Sequence, residues 1–358
     1  MKYFHELFIL ASLLSLTIST TGDKTCKSPN GEPVDWYAVF LFPQNSSPEG
    51  VLSYGYFGST STEMTFHSYK IDEFPPNRVT TFTQSKDKDF NFFFWNDDKT
   101  CKDDTKSQPA SNSKAHAKGE LIFDKKSGVF LLHSLPRFPT RMLDGTILTE
   151  LPGNAGIYGQ TFLCISTDES TPYKLAELLN YINISNNLSV KEDRLNNNSA
   201  NPWVEKLIIN KYSSSYPLLL ETEIQSKGKQ TFTFFSKSHR KKDVPYDLTL
   251  RQKYGDNFFV RTWSRPSLSP SICEDNKLLN ILDVKYDKWA FGKDKEHSKW
   301  AVAETKNICC FGDVNHTDSQ KNRGGNIVCF ENKKLHDIMI KAIAVKDSCP
   351  NKFLSFFD

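Results

Sequence analysis

The sequence lacks most of the short signatures by which an enzyme declares its chemistry. No C-x-x-C pair occurs, which argues against a zinc ribbon or a thioredoxin-type centre, and no H-E-x-x-H or Cys/His knuckle offers a metal cluster. G-x-S-x-G and the P-loop are missing as well. Beyond the N-terminal leader no apolar run is long enough to span a bilayer. Charge of one sign is also scarce: Lys+Arg 45 against Asp+Glu 42 leaves +3, too little to argue for polyanion binding by itself. The seven histidines outside the leader (8 − 1) change this at low pH, taking the formal charge towards +10 (3 + 7).

What is present points to a secreted globular chain. Its 358 residues, 38% hydrophobic and 24% charged, suffice for one large domain or two smaller ones. Aromatics are plentiful (27 Phe, 13 Tyr, 6 Trp), which favours strands over helices. Residues 1–22 read as a signal peptide: Lys2 starts it, Phe8 to Leu16 is its apolar core, and Ser19-Thr20-Thr21-Gly22 offers a cleavage site. That core is short for an anchor, so no membrane association is expected once it is removed. The eight cysteines, an even number outside the leader, read as structural disulfides. Five N-x-S/T sequons, at Asn45, Asn183, Asn187, Asn197 and Asn315, agree with an extracytosolic glycoprotein.

Along the chain, strands are expected at 36–42, 53–57, 91–96, 119–123, 129–134 and 158–166, followed by a helix over 171–182 with Leu175, Leu178, Leu179 and Ile182 on one face. The polar stretch 97–114 reads as loop, and the Asn/Ser-rich segment 183–201 as the boundary between two halves. The second half carries strands at 230–236 and 257–263, with the basic run His239-Arg240-Lys241-Lys242 between them as a solvated turn. Further short segments at 300–303, 311–315 and 326–330 precede an amphipathic helix over 334–345.

One pattern occurs twice: His116-Ala117-Lys118 and His297-Ser298-Lys299, each after a charged loop. On an extended strand, residues i and i+2 share a face, so each copy presents an imidazole and an ammonium together. Two facing copies suit a phosphodiester. One neutral imidazole attacks phosphorus, the other protonates the leaving oxygen, and the lysines offset charge on the non-bridging oxygens. His133 and Asn315 fall 17 and 18 residues after the first histidine of each copy (133 − 116; 315 − 297), so each return strand is expected to bring a polar residue back to its own motif.

The setting of these motifs is similar to that of the deoxyribonuclease II family. The resemblance is carried by Cys-x4-Gly-x-Pro-Val-Asp-Trp at 26–36, His-x-Lys-Gly at 116–119, Leu-His-Ser-x-Pro-x-Phe-Pro at 132–139 and Tyr-Gly-Gln-Thr-x-Leu-Cys at 158–164. It continues with Glu-His-Ser-Lys-Trp at 296–300, Cys-x-Gly-Asp-x-Asn at 310–315 and Arg-Gly-Gly at 323–325. It implies an α/β fold, a mixed αβα sandwich built as a pseudodimer of two phospholipase-D-like lobes with central β-sheets. The N-terminal lobe would span 23–190, the C-terminal lobe 191–358, and the active site would lie between them.

By the same resemblance the chain would be a metal-independent acid endodeoxyribonuclease without a cofactor, secreted or lysosomal, leaving 3′-phosphate and 5′-hydroxyl ends. DNA would be the substrate partner and a second copy of the chain a candidate one. His116 would be the nucleophile, His297 the general acid, and Lys118 and Lys299 the phosphate ligands. His133 would support catalysis and Asn315 substrate binding. The implied disulfides are Cys26–Cys164, Cys273–Cys349 and Cys310–Cys329; Cys101 and Cys309 fall outside these pairs, and a bridge between the two is a hypothesis the resemblance does not supply. The chain departs from the wider phospholipase D pattern in placing Asp124 one residue late and Glu304 where the second Asp belongs. Asn315 also opens a sequon, and a glycan there is incompatible with a buried site role. The alternative reading is a secreted homologue that binds DNA or a host protein with little or no turnover; a phospholipase is disfavoured by the family-specific blocks.

Overall fold

The structure is a computed structural model that describes residues 23–46, 49–81, 90–98, 114–141, 147–148, 150–152, 155–184, 186–189, 201–209, 211–212 and 217–350. The leader, Cys101 and the sequon at Asn197 lie outside the described residues.

Two large sheets dominate. The core of the first is formed by β1 (Trp36–Phe42), β2 (Asn91–Asn96), β3 (Lys118–Phe123), β4 (Gly128–His133) and β5 (Gln160–Thr167), in the spatial order β2-β3-β4-β5-β1. The core of the second is formed by β6 (Thr231–Lys237), β7 (Phe258–Arg261), β8 (Trp300–Ala303), β9 (Ile308–Gly312) and β10 (Gly325–Glu331), in the order β7-β8-β9-β10-β6. Within both sets every neighbouring pair is antiparallel. The second sheet thus repeats the order and direction of the first, five strands for five. Its outer strands include Leu278–Tyr286, which the sequence reading did not single out and which runs parallel to β7.

The strands read as continuous apolar runs because they are covered on both faces. In β1, Trp36, Ala38, Phe40 and Phe42 enter the interior between the sheets, while Tyr37, Val39 and Leu41 enter a separate cluster on the outer face. The sheets meet directly through Trp36 against Phe330 (4.9 Å between ring centres), Phe130 against Phe234 (5.5 Å) and Phe40 against Phe311 (5.8 Å). The two halves therefore share one hydrophobic interior, and neither could bury its inner face alone.

Among the described residues helices are few and short, and the chain is the mixed α/β protein expected, with sheets as its main elements. Helix α1 (Thr171–Ile182) spans the expected residues and stops at Asn183, whose φ of 62° is left-handed. Helix α2 (Lys333–Lys341) ends four residues before the expected limit. Ile343–Lys346 leaves the helix to pair with Leu278–Tyr286, where β-branched Ile343 and Val345 suit a strand. No helix among the described residues is long and apolar enough to cross a membrane. The disulfides Cys26–Cys164, Cys273–Cys349 and Cys310–Cys329 form as implied. Cys309 corrects the expected bridge to Cys101: it carries a free, fully buried thiol in the interior between the sheets.

On the outer face of β3, Glu120 is fully buried, with one oxygen accepting from the Thr80 hydroxyl (2.7 Å) and the other unpartnered. Burial pushes its carboxyl up to about 8. The folded state then holds a proton that the unfolded chain releases above its ordinary value, so stability falls as pH rises towards 8. Glu120→Gln is expected to raise the melting temperature by several degrees at pH 7 and leave it nearly unchanged at pH 4, as read by thermal denaturation at both pH values.

Candidate active site

Each H-x-K is the extended lead-in to the second strand of its five-strand core: His116 precedes β3 and His297 precedes β8. Extended backbone puts the imidazole and the ammonium on one face. The main chain then fastens each motif to the opposite half. The His116 N–H donates to the Gly324 carbonyl, at the entrance to β10, and the His297 N–H donates to the Gly159 carbonyl, at the entrance to β5, both at 2.9 Å. Neither acceptor has room for a side chain, because backbone crowds position 324 and the Glu296 and Phe291 side chains crowd position 159. A Cβ would lie 2.2 Å from the Ile182 carbonyl at position 324, and 2.8 Å from a Glu296 oxygen at position 159.

The side chains cross in the same way. The His116 Nδ1–H donates to the Asp313 carbonyl (2.6 Å), at the end of the second half's return strand. The His297 Nδ1–H donates to the Ser134 carbonyl (2.9 Å), at the end of the first half's return strand, with the Gln160 Oε1 at 3.2 Å. These acceptors assign the proton to Nδ1 of both rings and leave each Nε2 with a lone pair. The return strands thus support the other half's histidine rather than their own, and do so through carbonyls rather than through His133 or Asn315.

Lys118 and Lys299 are almost fully buried. Lys118 pairs with Asp97, whose other oxygen accepts from Arg323 Nη1 (3.0 Å) and lies 3.8 Å from His116 Nε2. Arg323 also donates to the carbonyls of Lys114 (3.2 Å) and Ala115 (2.8 Å), so it clasps the chain just ahead of His116. The second motif is held differently. Lys299 Nζ donates to the His297 carbonyl (2.6 Å), and Glu296 accepts from the Ser298 N–H (2.9 Å) while pairing with fully buried Arg261 (2.9 Å).

Burial sets the electrostatics. It pushes His116 and His297 well below the ordinary imidazole value, and the charges of Lys118 and Lys299 push the same way; Asp97 opposes at His116 and the hydrogen bond to the Ser134 carbonyl opposes at His297. Burial likewise depresses Lys299, with Lys118 adding to it. Burial disfavours ionisation of Asp97, yet Lys118, His116 and Arg323 outweigh it and hold the carboxyl far below its ordinary range. Burial lifts Asp313 to about 7, against hydrogen bonds from the Asn326 and Lys118 N–H groups. A site of this kind resists protonation while empty and takes up protons when an anion enters. The formal +10 at low pH is therefore an overcount for the folded chain, since His67 and His239 are also depressed by burial.

His133 ends β4, is buried, and stacks on Phe162 (5.5 Å) and against Phe138 (5.4 Å). Neither ring nitrogen makes a hydrogen bond of ordinary geometry, although the Leu135 carbonyl lies close enough to favour the charged form. Burial takes its pKa down to about 3, with Lys118 and Lys299 contributing. Asn315 is 4% exposed, its Oδ1 is unpartnered, and His316 and Thr317 are each 1% exposed. That sequon is enclosed by the fold and has no room for a glycan. Asn45, by contrast, is exposed.

Asp97 and Arg323 carry much of the charge arrangement. The sequence placed Asp97 in a polar loop; the available signal was its place directly after β2, whose last residue, Asn96, sits opposite Lys118. Among the described residues no group of three or more His, Cys, Asp or Glu side chains is arranged to hold a metal ion.

The family model described as Deoxyribonuclease II matches residues 25–349. Among curated proteins, plancitoxin-1 of Acanthaster planci is 29% identical, covering 95% of this chain and 96% of its own length. Cell-death-related nuclease 7 of Caenorhabditis elegans is 28% identical, over 94% and 92%. Deoxyribonuclease-2-alpha of Sus scrofa is 27% identical, over 90% and 89%.

Proposed function

The chain belongs to the deoxyribonuclease II family, and from that premise we propose that it cleaves DNA phosphodiesters at acid pH with its two H-x-K histidines and without a metal. The observation that carries the mechanism is the reciprocal pinning of the imidazoles. Each Nδ1–H is held by a carbonyl of the opposite half, which leaves each Nε2 its lone pair in one buried, cation-rich site, the His116 Nε2 lying 3.8 Å from the Asp97 carboxylate.

His116 Nε2 attacks phosphorus as the bond to the 5′-oxygen breaks, giving a phosphohistidine on the 3′-side fragment. Protonated His297 transfers its Nε2 proton to the departing 5′-oxygen, which leaves as a hydroxyl. His297 then takes a proton from water, the hydroxide attacks phosphorus, and His116 departs from a 3′-phosphate. Lys118 and Lys299 bind the non-bridging oxygens. We assign His133 and Asn315 to the same site, a reading supported by their unpartnered buried polar atoms, which suit groups that receive a ligand. Two phospholipase-D-like lobes, 23–190 and 191–358, are the reading that best accounts for the repeated five-strand order. A single chain supplies both motifs, so a homodimer is not needed to complete the site. Secretion or a lysosomal location fits the leader, the disulfides and the exposed sequon at Asn45.

Acid operation follows from the depressed imidazoles. The general acid must be charged, and burial delays its charging to low pH, so the rate rises as pH falls through the His297 value. The test is plasmid nicking at about pH 5 in EDTA, followed by end analysis. Nicked ends that resist polymerase extension until phosphatase treatment are expected. A requirement for magnesium, or ends extendable at once, would overturn the mechanism; DNA binding without cleavage would favour the inactive homologue.

A further inference from the structure

The two halves deliver different side chains at equivalent places. Beyond the end of β2 the first half sends Asp97 towards His116; beyond the end of β7 the second half sends Trp263 against His297. Trp263 meets the His297 ring edge to face, with centroids 4.9 Å apart, and Tyr158 meets Trp263 at 4.8 Å. The Arg265 guanidinium lies 5.5 Å from the Trp263 ring centre. Trp263 and Tyr158 are half-buried, while Arg265 and Ile157 beside them are exposed. Arg265 makes no ion pair among the described residues. An aromatic cluster that remains accessible to solvent, carries an unneutralised arginine and touches a site histidine has the chemistry of a nucleobase platform.

We propose that Trp263, flanked by Tyr158 and Arg265, is a stacking subsite for an unpaired nucleobase next to the scissile phosphate, on the His297 side. The proposal rests on the nuclease reading and adds to it the state of the substrate. A base that stacks on Trp263 has left its duplex neighbours, so the strand is opened locally before it is cut, and Arg265 holds the adjoining phosphate. With His297 as general acid, that base belongs to the nucleotide whose 5′-oxygen departs.

Two readouts test this, one independent of turnover. Titration of single-stranded oligonucleotide in EDTA is expected to quench the wild-type tryptophan fluorescence, and Trp263→Phe to lose most of that quench. An abasic residue is then placed in turn at each of the two nucleotides flanking one scissile bond. At one position it should lower wild-type kcat/KM about tenfold. Trp263→Ala should show the same tenfold loss on the intact strand and no added loss on the abasic one. A Trp263 that merely positioned His297 would lower all substrates equally, leaving the abasic penalty as in wild type, and that result overturns the subsite. So does a quench as large in Trp263→Phe as in wild type. If Trp263→Ala does not fold, Tyr158→Ala serves in its place with a reduced abasic penalty expected. Should the chain cleave no DNA, the nuclease reading falls, and the fluorescence comparison alone decides the subsite.

Discussion

His116→Ala and His297→Ala are each expected to lower plasmid nicking at pH 5 by a factor of at least about 10³, because each removes a group proposed to act on the reacting atoms. The two losses should not add. Once the nucleophile is gone a general acid has nothing to assist, so the double variant should be about as slow as the slower single one. A substrate with an activated leaving group separates the roles. A p-nitrophenyl phosphodiester releases an oxyanion that needs no proton, so His297→Ala should recover its first turnover on it, a burst of p-nitrophenol that then stalls for want of the base in the second step, and His116→Ala should recover none. Recovery by His116→Ala alone would exchange the two assignments, and nicking that survived both substitutions would end the two-histidine mechanism. The crossed hydrogen bonds give a reason to expect near-equal severity on DNA. Both rings are pinned at Nδ1 by a carbonyl, at 2.6 and 2.9 Å, so neither is free to rotate and stand in for the other.

Asp97→Ala is expected to destabilise the protein by about 3–5 kcal/mol, the usual result of removing one partner from a buried ion pair. The side chains of Asp97, Lys118 and Arg323 are 5%, 3% and 12% exposed, so the two cations would be left without a counter-charge and with little water. The carboxyl is held below its ordinary range, so its contribution is complete above the unfolded value near pH 4 and is lost only as pH falls below that. The difference between variant and wild type should therefore persist at pH 5, where the enzyme is proposed to work. Sulfate should recover part of it, since an anion seated between Lys118 and Arg323 replaces the missing charge, and should do so far less in wild type. Chemical denaturation at pH 5 and pH 7, with and without sulfate, reads all of this. A loss below about 1 kcal/mol would mean that water reaches the cluster and that Asp97 is not the counter-ion the geometry makes it.

Much of the strand content was legible because alternation and aromatic runs are local. β1 and β2 follow from their sequence, and α1 follows from the spacing of Leu175, Leu178, Leu179 and Ile182. Two misreadings share a cause. Leu278–Tyr286, which also pairs with β7 and with Trp289–Gly292, and the strand after α2 pair with each other in the outer part of the second sheet, and their separate sequences do not announce a strand. Ile343 and Val345 fit a helical face as well as a strand, and pairing chose the strand.

The chain alone determined that a histidine and a lysine would share a face twice, because i and i+2 on extended backbone leave no choice. It also supplied the ordered blocks that resemble one nuclease family. Only the packing of two sheets decided what those groups became. The Asp313 carbonyl reaches His116 across 197 residues of sequence, and Arg323 reaches Asp97 across 226. Such distances are closed by a shared hydrophobic interior, not by any local pattern. The same burial depressed the imidazoles and enclosed the sequon at Asn315, since desolvation is a property of the assembled fold and no residue carries it alone.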